Sequence, residues 1–70
     1  MERVPVQSSN VVSVGYDADD GILEVEFSGG SVYEYYRVPR QVFDGLFASS
    51  SPGHFVATKV KDVYQYRRIR

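Results

Sequence analysis

The chain has 70 residues, no cysteine, four phenylalanines, six tyrosines and a net charge of −1. That length holds one domain near the lower limit for a self-sufficient core, and the lack of thiols excludes disulfide staples and thiolate metal sites. No run is long and apolar enough to span a membrane, and the opening MERVPVQSSN has no signal-peptide h-region, so the expected location is the cytoplasm.

The small net charge hides a polarity. Residues 1–36 carry one basic and seven acidic side chains (−6), whereas residues 37–70 carry seven basic and two acidic ones (+5), which together recover −1. Two readings follow. The halves neutralise each other inside the fold, or the basic half steers a polyanion to one side of the domain.

Residues 1–9 read as a flexible lead-in, because Val4-Pro5 disfavours helix and Gln7-Ser8-Ser9 is polar; the domain proper is expected over 10–70. Asn10 to Tyr16 reads as a first strand with Val12, Val14 and Tyr16 on one face. Asp17-Ala18-Asp19-Asp20-Gly21 reads as a turn. Its carboxylates superficially suggest a calcium loop, but the glycine falls one place early, no glutamate follows at the required spacing, and strands flank it.

The stretch Ile22–Arg37, ILEVEFSGGSVYEYYR, is the organising hairpin. A two-residue Gly29-Gly30 loop would bring Glu34 onto the face of Leu23, Val25 and Phe27. A three-residue loop, Ser28-Gly29-Gly30, instead sets Val25 opposite Tyr33 and Leu23 opposite Tyr35, and gathers Glu24, Glu26 and Glu34 on the other face. A one-residue slip moves every side chain to the opposite face, and an unpartnered buried glutamate costs several kcal/mol, about a small domain's whole stability. The three-residue loop is therefore expected, with Tyr33 and Tyr35 inward and Val32 and Tyr36 outward.

Val38-Pro39 ends that strand and starts a helix, whose apolar stripe is Val42, Phe43, Leu46 and Phe47, with Gly45 placed for close packing on the sheet. Ser51-Pro52 opens a second short helix as N-cap and first helical residue, with Phe55, Val56 and Val60 as its apolar positions. Val63–Ile69 is β-prone and reads as a last strand. The expected fold is α+β: an antiparallel meander of three strands plus a C-terminal strand, packed on two short helices in the order β-β-β-α-α-β. Tyr33-x-Tyr35-x-Arg37 is echoed by Tyr64-x-Tyr66-x-Arg68, so neighbouring strands would share a strip of phenols and guanidiniums.

The ordered set Leu23-x-Val25-x-Phe27, the Gly30 turn, Tyr33-x-Tyr35, Val38-Pro39, Ser51-x-Gly53 and Tyr64-x-Tyr66 resembles the KTSC domain over about residues 8–69. That family is found alone in bacterial proteins and at the C-terminus of some lysyl-tRNA synthetases. The resemblance implies a stand-alone small domain without an established activity, for which RNA binding has been suggested from its attachment to a synthetase.

From the residues themselves, no catalytic constellation assembles. His54 is the single histidine, Ser49, Ser50 and Ser51 are helix-end residues, and no nucleophile-elbow pattern surrounds them. The chain is expected to be no enzyme, to need no cofactor or metal, and to act as a non-catalytic binding module for a protein partner or a second copy. RNA or another single-stranded nucleic acid is the alternative. Its candidate contacts are Tyr33, Tyr35, Tyr64 and Tyr66 for base stacking and Arg37, Lys59, Lys61, Arg67, Arg68 and Arg70 for phosphates.

Overall fold

A computed structural model describes all residues, 1–70. Five strands form one antiparallel meander in sequence order: β1 (Val4–Pro5), β2 (Val11–Asp17), β3 (Ile22–Phe27), β4 (Val32–Tyr35) and β5 (Tyr66–Arg68). Between β4 and β5 lie α1 (Arg40–Ala48) and α2 (Pro52–Phe55), which runs on into a π-helical turn over Val56–Val60. The expected order β-β-β-α-α-β is present, with one strand more at its front.

The central hairpin has the three-residue loop. Leu23 pairs with Tyr35, Glu24 with Glu34 and Val25 with Tyr33, and the Phe27 amide donates to the Ser31 carbonyl at 2.8 Å. Gly29 and Gly30 hold φ of 98° and 97°, values that side chains disfavour, and nothing lies within 4 Å of a Cβ built at either. Their requirement is thus purely a backbone one. The register sorts chemistry by face: Leu23, Val25 and Tyr35 turn inward and are buried, while the glutamates turn outward together.

The inner face meets the helices. Val11, Val14, Leu23, Val25, Leu46 and Val60 are fully buried, joined by Tyr35, Val38 and Val56. Tyr16 stacks on Phe43 with ring centroids 5.4 Å apart and donates its hydroxyl to the Val38 carbonyl, which ties α1 to the end of β2. Of the expected stripe on α1, Leu46 is buried, Val42 and Phe43 are half-buried, and Phe47 is exposed. A Cβ at Gly45 would lie 3.2 Å from the Phe55 ring, so its close packing is against the second helix and not the sheet. Ser51 is the N-cap residue of α2 with Pro52 behind it, as the spacing predicts, although its hydroxyl makes no capping bond. The Asp17 carboxylate accepts the amides of Asp19 and Asp20, which commits it to the turn.

Four further details depart from the sequence expectation. Residues 1–9 are not a mere lead-in: Val4 pairs with Val14 and Pro5 with Ser13, and a Cβ at Gly15 would stand 2.8 Å from the Glu2 carbonyl oxygen. On β2 the register shifts between Val11 and Ser13, so Val11 takes the core position expected for Val12, which is 43 % exposed. Val32 does turn outward but is buried, at the hairpin end where Arg70 bonds both the Gly30 carbonyl and the Glu26 carboxylate opposite Val32. The last strand is shorter than Val63–Ile69, because the chain from Asp62 to Tyr64 is still turning out of the helix and Tyr64 donates its amide to Val60.

On the outer face a single ion pair, Arg70 with Glu26, joins the basic half of the chain to the acidic half. Arg3 donates to Ser13 Oγ and forms an ion pair with Glu24; Ser13 donates to Glu26 at 2.8 Å; and Arg70 reaches Glu26 from the other side at 3.1 Å. Both chain termini are therefore fastened to the hairpin glutamates. Glu24 is only 7 % exposed, and Arg3 is its ion-pair partner. Arg3→Ala is expected to cost about 1–3 kcal/mol in urea unfolding, the penalty for orphaning a buried hydrogen-bonding group. A loss under about 0.5 kcal/mol would place Arg3 among ordinary surface charges.

Candidate functional site

Helix α1 packs on β2, the core reaches across the inner face as far as Tyr35 on β4, and the face opens toward β5. Aromatic residues gather there. Tyr33 and Tyr35 stand on β4, and Tyr66 lies opposite Tyr35 on β5, so all three share one face. Ring centroids are 6.3 Å apart for Tyr33–Tyr35, 5.4 Å for Tyr33–Tyr66 and 5.9 Å for Tyr35–Tyr66, and Phe27 meets Tyr33 edge-on at 5.5 Å. A cleft of about 280 Å³ opens over these rings, with Ser31, Lys61 and Asp62 on its rim. Exposure grades across it, from Tyr35 at 3 % to Tyr66 at 59 %. A shallower hollow lies across the segment 62–66, with Tyr36 and Tyr64 among its walls.

The π-helical turn sets the far wall of the cleft. The Lys61 amide donates to Val56, five residues back, at 2.8 Å. Asp62 then takes φ 66°, a left-handed conformation that aspartate tolerates better than most residues, and this swings the chain across toward β5. The strand it reaches is an edge. The Gln65 carbonyl accepts from Tyr36 and the Ile69 amide donates to Val32, so by alternation Tyr66 and Arg68 aim their backbone groups away from β4. At the opposite edge β1 is two residues long and contains Pro5, which has no N–H.

The candidate residues therefore separate. Tyr33, Tyr35, Tyr66 and Lys61 meet in the cleft, and Arg68 stands opposite Tyr33 on the same face. Arg67 lies on the outer face, opposite Glu34. Arg70 is engaged by Glu26 and Gly30. Tyr64 is half-buried against the core. Lys59 is exposed on the π-helical turn, and Arg37 is exposed just past β4 at φ 57°. Sequence reasoning missed Phe27 and Asp62 as walls of the cleft. The signal for Phe27 was present, since the chosen register already put it diagonal to Tyr33. His54 is exposed, its carbonyl accepting the Thr58 hydroxyl at 2.9 Å. No group of three or more histidine, aspartate or glutamate residues converges where a metal could be held, and no helix is long and apolar enough to cross a membrane.

Fold and cleft together define a class: small α+β domains in which a meander carries two short helices on one face and leaves aromatic side chains uncovered beside an open edge. Within that class the chain belongs to the KTSC domain family, whose model matches residues 7–66. The fold is that of a crystallised KTSC domain protein from Yersinia pestis, with a TM-score of 0.93 at 34 % identity, covering 99 % of this chain and 97 % of that one. An uncharacterised protein of Stutzerimonas stutzeri is 46 % identical over 70 residues, 99 % of either chain. A lysine–tRNA ligase of Trichormus variabilis is 30 % identical over 63 residues, which are 90 % of this chain but 11 % of the ligase. The domain thus occurs both by itself and as a small part of a much larger protein.

Burial pushes the Tyr35 phenol above its ordinary value, and the Tyr33 and Tyr66 phenols and the Asp62 carboxylate add to the rise. In the unfolded chain this phenol ionises near pH 10, so the fold favours its neutral form. That stabilisation is complete below about pH 10 and is lost as pH climbs through the raised folded value. A spectrophotometric titration is expected to show a late-ionising phenol that Tyr35→Phe removes, with a shallower alkaline loss of stability. An unchanged titration in the variant would contradict the burial of Tyr35.

Proposed function

We propose that this chain is a non-catalytic binding domain that takes a protein partner at the open edge of β5, with the tyrosine cleft receiving partner side chains. The observation that carries this reading is the coincidence of an unpaired strand edge with an uncovered aromatic cleft on the same few residues. An exposed edge supplies backbone hydrogen bonds to an incoming strand, and alternate side chains of that strand fall on one face. Tyrosine suits the role, because its ring buries apolar area while the hydroxyl stays hydrogen-bonded. Occurrence of the domain within a lysine–tRNA ligase fits a module that serves attached chemistry without performing it.

A benzophenone side chain placed at Tyr66, and a second at Asp19 in the remote turn as control, tests the reading by photocrosslinking in cells. A discrete protease-sensitive, nuclease-resistant adduct from position 66 alone is expected. Adducts of equal yield from both positions, or only nuclease-sensitive ones from 66, would overturn it.

RNA is the second reading, favoured by cations that no aspartate or glutamate engages: Arg37, Lys59, Lys61, Arg67 and Arg68 have none within 4.0 Å, Arg68 spending only its Nε on the Arg70 main-chain oxygen. Under it, a single-stranded RNA shifts the resonances of those residues and of Tyr66 at low salt, and the shifts fade as salt rises. A spectrum unmoved at low salt removes it.

A further inference from the structure

The charges around the open edge specify the partner more closely, on the reading that β5 is the docking strand. Three side chains present themselves to a sixth strand. Tyr66 and Arg68 lie on the cleft face and Arg67 lies between them on the outer face. Neither Arg67 nor Arg68 has an aspartate or glutamate within 4.0 Å, whereas Arg3, Arg40 and Arg70 each have at least one; Arg68 Nε donates to the Arg70 main-chain oxygen at 3.1 Å, which leaves its terminal guanidinium nitrogens for a partner. Lys61 adds a further cation at the rim of the cleft, and Asp62 is the one acid there.

A second copy of this chain is a poor occupant. Antiparallel pairing of β5 with itself about Arg67 would set Arg67 opposite Arg67 and crowd four guanidiniums into one short ladder. Like charges directly opposite across strands are destabilising, and uncompensated repulsion at an interface excludes wrong partners. The arginines therefore protect the edge from its own kind and select for the opposite sign.

We infer that the occupant is an extended acidic segment of another protein, bound as a sixth strand of the sheet. It carries two consecutive acidic residues, one facing Arg67 on the outer face and one facing Arg68 on the cleft face. Next to them comes an aromatic or aliphatic residue opposite Tyr66, on the same face as the second acid. The period-2 alternation of a strand delivers all three from adjacent positions. The apolar side chain packs on the exposed Tyr66 ring at the mouth of the cleft, the acid on the same face meets Arg68, and the other acid finds Arg67. Its backbone satisfies the outward groups of Tyr66 and Arg68.

The test is an NMR titration of the full chain with an extended ten-residue peptide containing Glu-Glu-Phe. Parallel titrations use the same peptide with both acids replaced by alanine, with both replaced by lysine, and a ten-nucleotide uridylate. The acidic peptide is expected to shift and protect the Tyr66 and Arg68 amides, and the alanine peptide to bind at least about tenfold more weakly. The variant Arg68→Glu, exposed and expected to keep its spectrum elsewhere, should lose the acidic peptide and gain the lysine peptide. That charge reversal is a readout general damage would not produce. Equal binding of the acidic and alanine peptides overturns this inference and leaves β5 as a strand-docking edge. Failure of every peptide to protect Tyr66 and Arg68 overturns both. Uridylate binding in their place gives the site to RNA, and resonances that move with protein concentration alone give it to a second copy.

Discussion

The pairing of Leu23 with Tyr35 and Val25 with Tyr33 is the constraint on which the rest depends. It is fixed by three loop residues, two of them glycines at positive φ. Moved by one residue, the same strands would bury Glu34 and turn the phenols to solvent. In place, the pairing concentrates acid on the outer face and aromatics on the inner one. The termini and the cleft follow from that separation, since the basic ends of the chain have glutamates to meet and the bare part of the inner face is lined with rings.

On the outer face the attraction is more than long-range steering. Glu24 is nearly buried, Ser13 bridges toward Glu26, and Arg3 and Arg70 approach from the two ends of the chain. A 70-residue chain without disulfides gains from fastening its ends in this way, because fraying is where small domains begin to open. The same pairing takes Arg70 away from any polyanion site and leaves Arg67 and Arg68 as the cations of β5 with no aspartate or glutamate within 4.0 Å.

The hairpin was legible in the sequence because one alternative carried a prohibitive burial cost. The helices were legible from proline and apolar spacing. The KTSC resemblance rested on the same elements, and family and fold agree with it. What escaped reading was set by contacts between segments far apart in sequence. Strand β1 is two residues long and held by Val14 and Ser13, neither of which marks Val4-Pro5 as a strand in advance. The bulge that swaps Val11 for Val12 leaves no local signature among consecutive valines. The π-helical turn depends on where Lys61 must go to reach Val56. The cleft itself was half visible. The repeated Tyr-x-Tyr pattern put phenols on adjacent strands, and β4 and β5 are indeed neighbours, yet Tyr64 and Arg37 fall outside the strip because the chain bends at both places.

Docking at β5 requires that the strand be an edge whose outward backbone groups are free to accept a partner. Hydrogen exchange of individual amides in the free chain reads this directly. Arg67 and Ile69, bonded toward β4, are expected to exchange slowly, and Tyr66 and Arg68 to exchange near the rate of an unstructured peptide. Slow exchange at all four positions would mean that the edge is already covered, and the docking account would be wrong.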